Sequence, residues 1–250
     1  MRSRAEFEAV AALIAAGRND YEIARETGVP RGTVHTWRIS PSRGPCSDNA
    51  RPNHCPICGD GDLDQASYAY LLGLYLGDGC INQVKKNVFK LRITLDLKYP
   101  GIIEECLAAI AVVRGAAAGN VLREGCVDVY SYWKHWPCLF PQHGAGPKHA
   151  RRIELEDWQF VATRAHLDLF LRGLIHSDGC RGLNTVTNRK GSRYSYPRYM
   201  FTNYSTDIRG IFCAACDDYG VNWRQMNWKT ISIARRPEVA KLDLVIGPKR

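Results

Sequence analysis

Methionine is scarce in this 250-residue chain, with three residues, and no apolar run approaches the ~20 residues that a membrane-spanning helix needs. A helical membrane anchor is therefore not expected. The opening Met1-Arg2-Ser3-Arg4-Ala5-Glu6 has neither the apolar stretch nor the small-residue cleavage site of a secretory signal, which points to a soluble, cytoplasmic protein. Acidic residues thin out toward the carboxyl end, where residues 181–250 hold 5 acids against 13 bases. Nearly all of the formal net charge of +9 lies there. With Tyr194, Tyr196, Tyr199, Trp223 and Trp228 interleaved, that stretch reads as a surface for a polyanion, a solvated basic face being the alternative. A hydrophobic share of 45% excludes a fully disordered chain. Ten cysteines are many, and in a reducing compartment they read as buried thiols or metal ligands before disulfides.

Residues 1–40 predict three short helices. Val10, Leu13 and Ile14 form one apolar stripe that stops at Gly17, a second segment follows Asp20 with Ile23 and Ala24, and a third runs from Pro30 to Arg38 with Val34 and Trp37. Ala24, Gly28 and Val34 keep the order of a helix-turn-helix: a small residue for close packing, a glycine for the turn, a branched anchor. Anchoring through Val34 is expected to leave Arg31, Thr33, His35 and Arg38 facing outward as DNA contacts. A helical hairpin that only packs on the rest of the chain is the alternative.

Residues 41–66 are a linker by composition, rich in Pro, Gly, Ser and Asn. Within it, Cys55-Pro56-Ile57-Cys58-Gly59 is half of a zinc knuckle, and Cys46 is the candidate third ligand. No fourth ligand is visible, because His54 adjoins Cys55 and His35 would have to fold back. Two cysteines in an ordered turn are the competing reading.

Comparing the chain with itself is more informative. Tyr70 to Cys80, YLLGLYLGDGC, is echoed 100 residues later by Phe170 to Cys180, FLRGLIHSDGC. Gly146-Pro147-Lys148 recurs as Gly247-Pro248-Lys249, so a lysine follows its aspartate by 70 residues in one half and 71 in the other. Two motifs keeping one spacing indicate a duplicated unit, 67–166 and 167–250. Gly73 with Gly77, and Gly173 with Ser177, give each motif helix a small-residue face that lets two helices approach closely. Each helix is expected to end on a left-handed glycine, Gly79 or Gly179. Parallel pairing would bring Asp78 and Asp178 together, where they repel unless a divalent cation sits between them. Phe89, Leu91, Ile93 and Leu95 alternate with Lys90, Arg92, Thr94 and Asp96 in a half-buried strand reached through a turn at Lys85-Lys86-Asn87. In the second half, Arg198 and Arg224 fall on strands. Sheets with basic polar faces can lie along a duplex, an ordinary solvent-facing sheet being the alternative.

From Leu71 to Gly79 and from Leu171 to Gly179 the residues resemble the two signature helices of the LAGLIDADG homing endonucleases, and the resemblance covers about residues 64–250. It implies an α+β fold: a duplicated, pseudo-twofold αββαββα-like unit with saddle-shaped antiparallel sheets, here preceded by a small all-α helix-turn-helix. It further implies a monomer acting as a pseudo-dimer on double-stranded DNA, with Mg²⁺ bound by Asp78 and Asp178. One phosphodiester would be hydrolysed in each strand of a long asymmetric site, with Lys148 and Lys249 assisting near the phosphates. Leu76 and His176 depart from the family's additional acidic position. Intein termini are absent, which reads as a free-standing enzyme. Rival readings are a transcription regulator that keeps the fold for DNA binding alone, and an RNA maturase. Two retained aspartates favour the enzyme.

Overall fold

The computed structural model describes residues 2–41, 54–187, 189–247 and 249. Contacts divide the chain into two units, Met1–Gly61 and Asp62–Arg250.

In the first unit, α1 (Arg4–Ala15) starts at a capping box made by Ser3 and Glu6, and α2 (Asp20–Thr27) at one made by Asn19 and Glu22. Gly28, at φ +69°, ends α2 in the left-handed region that suits glycine. The third helix, α3 (Arg31–Ile39), follows Pro30. Val10, Ile23, Val29, Val34 and Trp37 form the core shared by the three helices, and Phe7 meets Trp37 edge to face with ring centroids 5.1 Å apart.

The second unit repeats one order of elements. Its first half runs α4 (Gln65–Asp78), β1 (Gly79–Lys85), β2 (Val88–Asp96), α5 (Pro100–Arg114), β3 (Gly119–Arg123), β4 (Cys126–Trp133) and α6 (Trp136–Leu139). After α7 (Asp157–Ala165), the second half runs α8 (Leu167–Asp178), β5 (Gly179–Thr187), β6 (Arg193–Thr202), α9 (Thr206–Asp218), β7 (Arg224–Asn227), β8 (Thr230–Ile233) and α10 (Arg236–Val245). Each half folds its strands into an antiparallel sheet, ordered β1-β2-β4-β3 and β5-β6-β8-β7. The protein is α+β, with one topology used twice.

Alternation along β2 buries Leu91, Ile93 and Leu95 and turns Lys90, Arg92 and Thr94 to the other face. Asn87 carries the positive φ of 56° that the turn after β1 requires. In β8, by contrast, Thr230 and Ser232 are buried along with Ile231 and Ile233.

Packing of α4 on α8 organises the core. Leu71, Leu72, Leu74 and Leu76 of α4 and Leu171 and Leu174 of α8 are wholly inaccessible, so both helices are buried on nearly every side. A Cβ on Gly73 would sit 2.7 Å from both the Leu174 nitrogen and the Phe170 oxygen, and one on Gly173 would collide with the Tyr70 oxygen. The helices therefore meet backbone to backbone, as the small-residue faces predicted. The expected left-handed caps do not form. Gly79 has φ −89° and Gly179 φ −102°, because the chain passes directly from helix into an edge strand. Glycine is needed there for space: a Cβ at either position would lie 2.6 Å from the Cα of Tyr75 or of Ile175, four residues back.

Candidate functional site

Asp78 and Asp178 end the two apposed helices. A Cβ on Gly77 would lie 3.1 Å from the Asp178 carboxyl carbon, so the second carboxyl stands against the last turn of α4. Asp78 is open to solvent and Asp178 partly so. Desolvation by the surrounding protein, and then repulsion from Asp178, push Asp78 up to about 6, while Lys148 and Lys249 pull the other way. Asp178 is also raised by desolvation, against a hydrogen bond from Asn203. The Asn203 amide donates to Asp178 Oδ2 at 2.5 Å.

Both lysines reach the same place by the same device. Gly146 (φ +76°) and Gly247 (φ +66°) turn the chain in the left-handed region before each Pro-Lys, which gives the repeated tripeptide a conformational reason. Lys148 Nζ donates to the Leu76 and Gly77 oxygens, both at 3.0 Å, and to the Tyr75 oxygen. Lys249 Nζ donates to the His176 oxygen at 2.9 Å and the Gly179 oxygen at 2.5 Å. Each ammonium thus occupies the carbonyl-rich C-terminus of its own signature helix. Three acceptors use all three protons of Lys148, which leaves it a fixed charge and not a spare donor. Desolvation lowers Lys148 to about 8 and lowers Lys249 as well, with the aspartates opposing.

The loop bearing Lys148 is pinned from below. Gln142 donates to the Glu154 oxygen at 2.6 Å and to Gln159 Oε1 at 2.5 Å, and Gln159 donates to the Tyr68 hydroxyl at 2.6 Å. Lys249 follows α10, whose end is tied to α8 by Arg172, donating to the Val245 oxygen at 2.9 Å. Two cavities flank the aspartates. One of about 240 Å³ holds Asp78 with Lys249, Asp96 and Tyr99, and one of about 490 Å³ holds Asp178 with Lys148, Asn203 and Tyr204. Each pairs the acid of one repeat with the lysine of the other. Sequence reasoning missed Asn203 and Asp96, which lie at strand ends outside any motif. His176 is a core residue: it is buried, its Nδ1 lies 2.9 Å from the Tyr70 hydroxyl, and burial followed by Arg172 pushes it down to about 4.

The candidate DNA contacts divide. Lys85 and Lys86 are exposed at the tip of the first hairpin, and Lys90 Nζ lies 4.4 Å from the Tyr130 ring centre. Arg92 stands 4.0 Å from the buried Asp128, which also takes a 2.5 Å hydrogen bond from Arg123. Asp128 thereby neutralises much of this sheet's basic face. On the second sheet a groove of about 930 Å³ collects Arg193, Arg198, Arg224, Arg235 and Arg236 beside Trp223. In the three-helix unit Arg31 and His35 are exposed and Thr33 is half-buried. His35 Nδ1 lies 3.0 Å from Asp20. Arg38 is not a free outward group: it donates to Asp20 Oδ1 at 2.7 Å and to the Arg18 oxygen at 2.6 Å, bracing α3 on α2.

Of the expected zinc ligands, Cys46 lies outside the described residues. His54 Nδ1 stands 4.0 Å from Asp60. Cys55 is buried and Cys58 exposed.

Fold and site together define a duplicated α+β protein with two aspartates at the ends of its central helix pair. No family model matches the chain, and no curated protein does. Among solved structures it is similar to the LAGLIDADG meganuclease I-AabMI bound to uncleaved DNA, at 13% identity and TM-score 0.45, over 70% of this chain and 81% of that one. It is similar also to the N-terminal LAGLIDADG domain of WhiA, at 13% and 0.44, over 74% and 83%. Full-length WhiA from Thermatoga maritima gives 14% and 0.47, over 79% and 60%. At identities this low, nothing those proteins bind or cut carries over to this chain.

Proposed function

We propose that this chain is a LAGLIDADG-type, site-specific endonuclease that hydrolyses one phosphodiester in each strand of double-stranded DNA. The observation that carries the reading is that Asp78 and Asp178 end two helices packed backbone to backbone, each beside a cavity with a lysine. The donor set fits Mg²⁺: two hard carboxylates, reachable by solvent, one of them driven up to about 6 by desolvation from the surrounding protein and by its neighbour's charge. A divalent ion held there would polarise the phosphoryl oxygen and lower the pKa of an attacking water. Asp78 and Asp178 bind and orient. Lys148 and Lys249, fixed on helix carbonyls, place positive charge where the phosphate's negative charge grows. Arg198 and Arg224 in the groove, and Lys85, Lys86 and Lys90 on the other sheet, hold the backbone of the duplex. The three-helix unit is a helix-turn-helix whose Arg31, Thr33 and His35 widen the recognised site.

One observation favours a second reading, a DNA-binding regulator. Two ammonium groups already sit beside two carboxylates, so the site is electrically balanced without a cation. Incubating the purified protein with total DNA from its own host, in Mg²⁺ and then in EDTA, separates the two. Endonuclease action gives discrete breaks, mapped by sequencing, that disappear with EDTA and in Asp78→Asn and Asp178→Asn. DNA that is bound and shifted yet stays intact in Mg²⁺ would establish the regulator instead.

A further inference from the structure

Beside the Asp178 cavity the second repeat carries exposed aromatic rings that the first repeat lacks. Two backbone hydrogen bonds fix the comparison: the Leu97 nitrogen donates to the Gly125 oxygen at 3.3 Å, and the Asn203 nitrogen to the Lys229 oxygen at 3.0 Å. Each joins the end of a sheet's second strand, β2 or β6, to the turn between its last two, β3 and β4 or β7 and β8. By that register Tyr204 stands where the first repeat has Lys98, and Trp228 where it has Glu124. The fold therefore does not require these rings. Nor do they fill a core, since Tyr204 is 57% and Trp228 61% exposed. Their ring centres lie 5.3 Å apart, edge to face. The Lys229 ammonium stands 4.8 Å from the Tyr204 ring centre and donates to its hydroxyl at 3.2 Å. His149 brings a third ring to 5.9 Å from Tyr204. Tyr204 and His149 both line the cavity that holds Asp178, Lys148 and Arg151.

We infer that Tyr204 and Trp228 form a stacking platform for one nucleobase turned out of the duplex beside the Asp178 cavity, with Lys229 supplying positive charge for its phosphate. The inference rests on the reading of this chain as a binder of double-stranded DNA at the carboxylate pair, and it does not need cleavage. A base that has left its stack loses the contacts of both its faces, and an exposed aromatic ring restores one of them whatever the base. The neighbouring charge points to the same occupant. Lys148 and Arg151 line the cavity against the single carboxylate of Asp178, and Lys229 lies between the rings and solvent, a setting that suits a polyanion and not the apolar face of a protein partner. With Lys98 and Glu124 at the equivalent positions, the first repeat offers no such surface, so a single base is displaced.

The test compares two short duplexes of one sequence, one fully paired and one with a central T·T mismatch, by fluorescence anisotropy with the full chain in EDTA, where nothing is cut. A mismatched base leaves its stack at less cost, so the wild-type chain should bind that duplex about tenfold tighter than the paired one. Tyr204→Ala and Trp228→Ala should each bring the ratio of the two affinities near one. Tyr204→Phe should keep it, and so should Leu244→Ala, a change at an exposed residue of α10. With 5-iododeoxyuridine at the mismatch, irradiation should crosslink the DNA to Tyr204 or Trp228, located by mass spectrometry of the peptides. Equal wild-type affinity for the two duplexes would overturn the platform while leaving duplex binding in place, and it needs no variant to fold. A preference that survives both alanine variants would overturn it too, as would crosslinks confined to other residues. A wild-type chain that binds neither duplex would refute the DNA reading itself, and the platform with it.

Discussion

Asp78 and Asp178 occupy equivalent positions in two repeats, yet their surroundings differ. Asp178 accepts a hydrogen bond from Asn203, whereas the cavity at Asp78 contains a further acid, Asp96. If each aspartate serves one strand, the strands are cut at unequal rates. Asn203→Ala should slow one cut more than the other, seen as nicked circles accumulating from a supercoiled substrate; equal slowing of both would refute the asymmetry. The pH dependence has a definite sign. Asp78 holds its proton up to about 6 in the folded chain, against ~3.9 in an unfolded one. Its contribution is therefore fully present below pH ~4 and lost as pH rises through about 6. Replacing it by a neutral amide should raise Tm relative to wild type more at pH 8 than at pH 5, and Mg²⁺ should raise the wild-type Tm at pH 8 but that of Asp78→Asn much less. A Tm gain that does not vary with pH would rule out ionisation as the cause. The aspartates and both lysines were legible because each stands in a repeated motif. Asn203 and Asp96 were not, since only the folded sheets bring strand ends back to the helix termini.

Among the helices, glycine separates two uses that look alike in sequence. At Gly73 and Gly173 the space for a methyl group is filled by the partner's backbone, which cannot swing aside as a long side chain can. Gly173→Ala should cost at least ~3 kcal/mol or prevent folding, since overpacking against fixed atoms exceeds ordinary core strain. Gly210, inside α9, faces open space. There the same change should stabilise by about 1 kcal/mol through helix propensity. Chemical denaturation of both variants checks the contrast, and equal effects would mean the α4 and α8 backbones are not in contact. The pairing of α4 with α8 was readable from Leu-x-Gly-Leu spacing alone. The ends of these helices were not: Gly79 and Gly179 suggested left-handed caps, but the edge strands begin at once and hold both residues extended.

Across the molecule, charge is spread less evenly than topology. The two sheets have the same strand order, but Asp128 offsets Arg92 and Arg123 on the first, while the second gathers five arginines in one groove. DNA affinity should accordingly depend more on the second half. Arg198→Ala and Arg224→Ala should each weaken binding and reduce the salt dependence of log K by about 1, while Arg92→Ala changes either little. Measuring affinity from low to moderate salt decides it; an Arg92 effect as large as that of Arg224 would contradict the neutralising role of Asp128. Local patterns in the sequence determined the duplication, the three amino-terminal helices, the helix pair and its aspartates, because repeats, caps and apolar spacing act over a few residues. Tertiary structure alone decided which lysine shares a cavity with which aspartate and that Asp128 neutralises one sheet. Those outcomes depend on residues tens of positions apart, which only the packing of helices and sheets brings within a few ångströms.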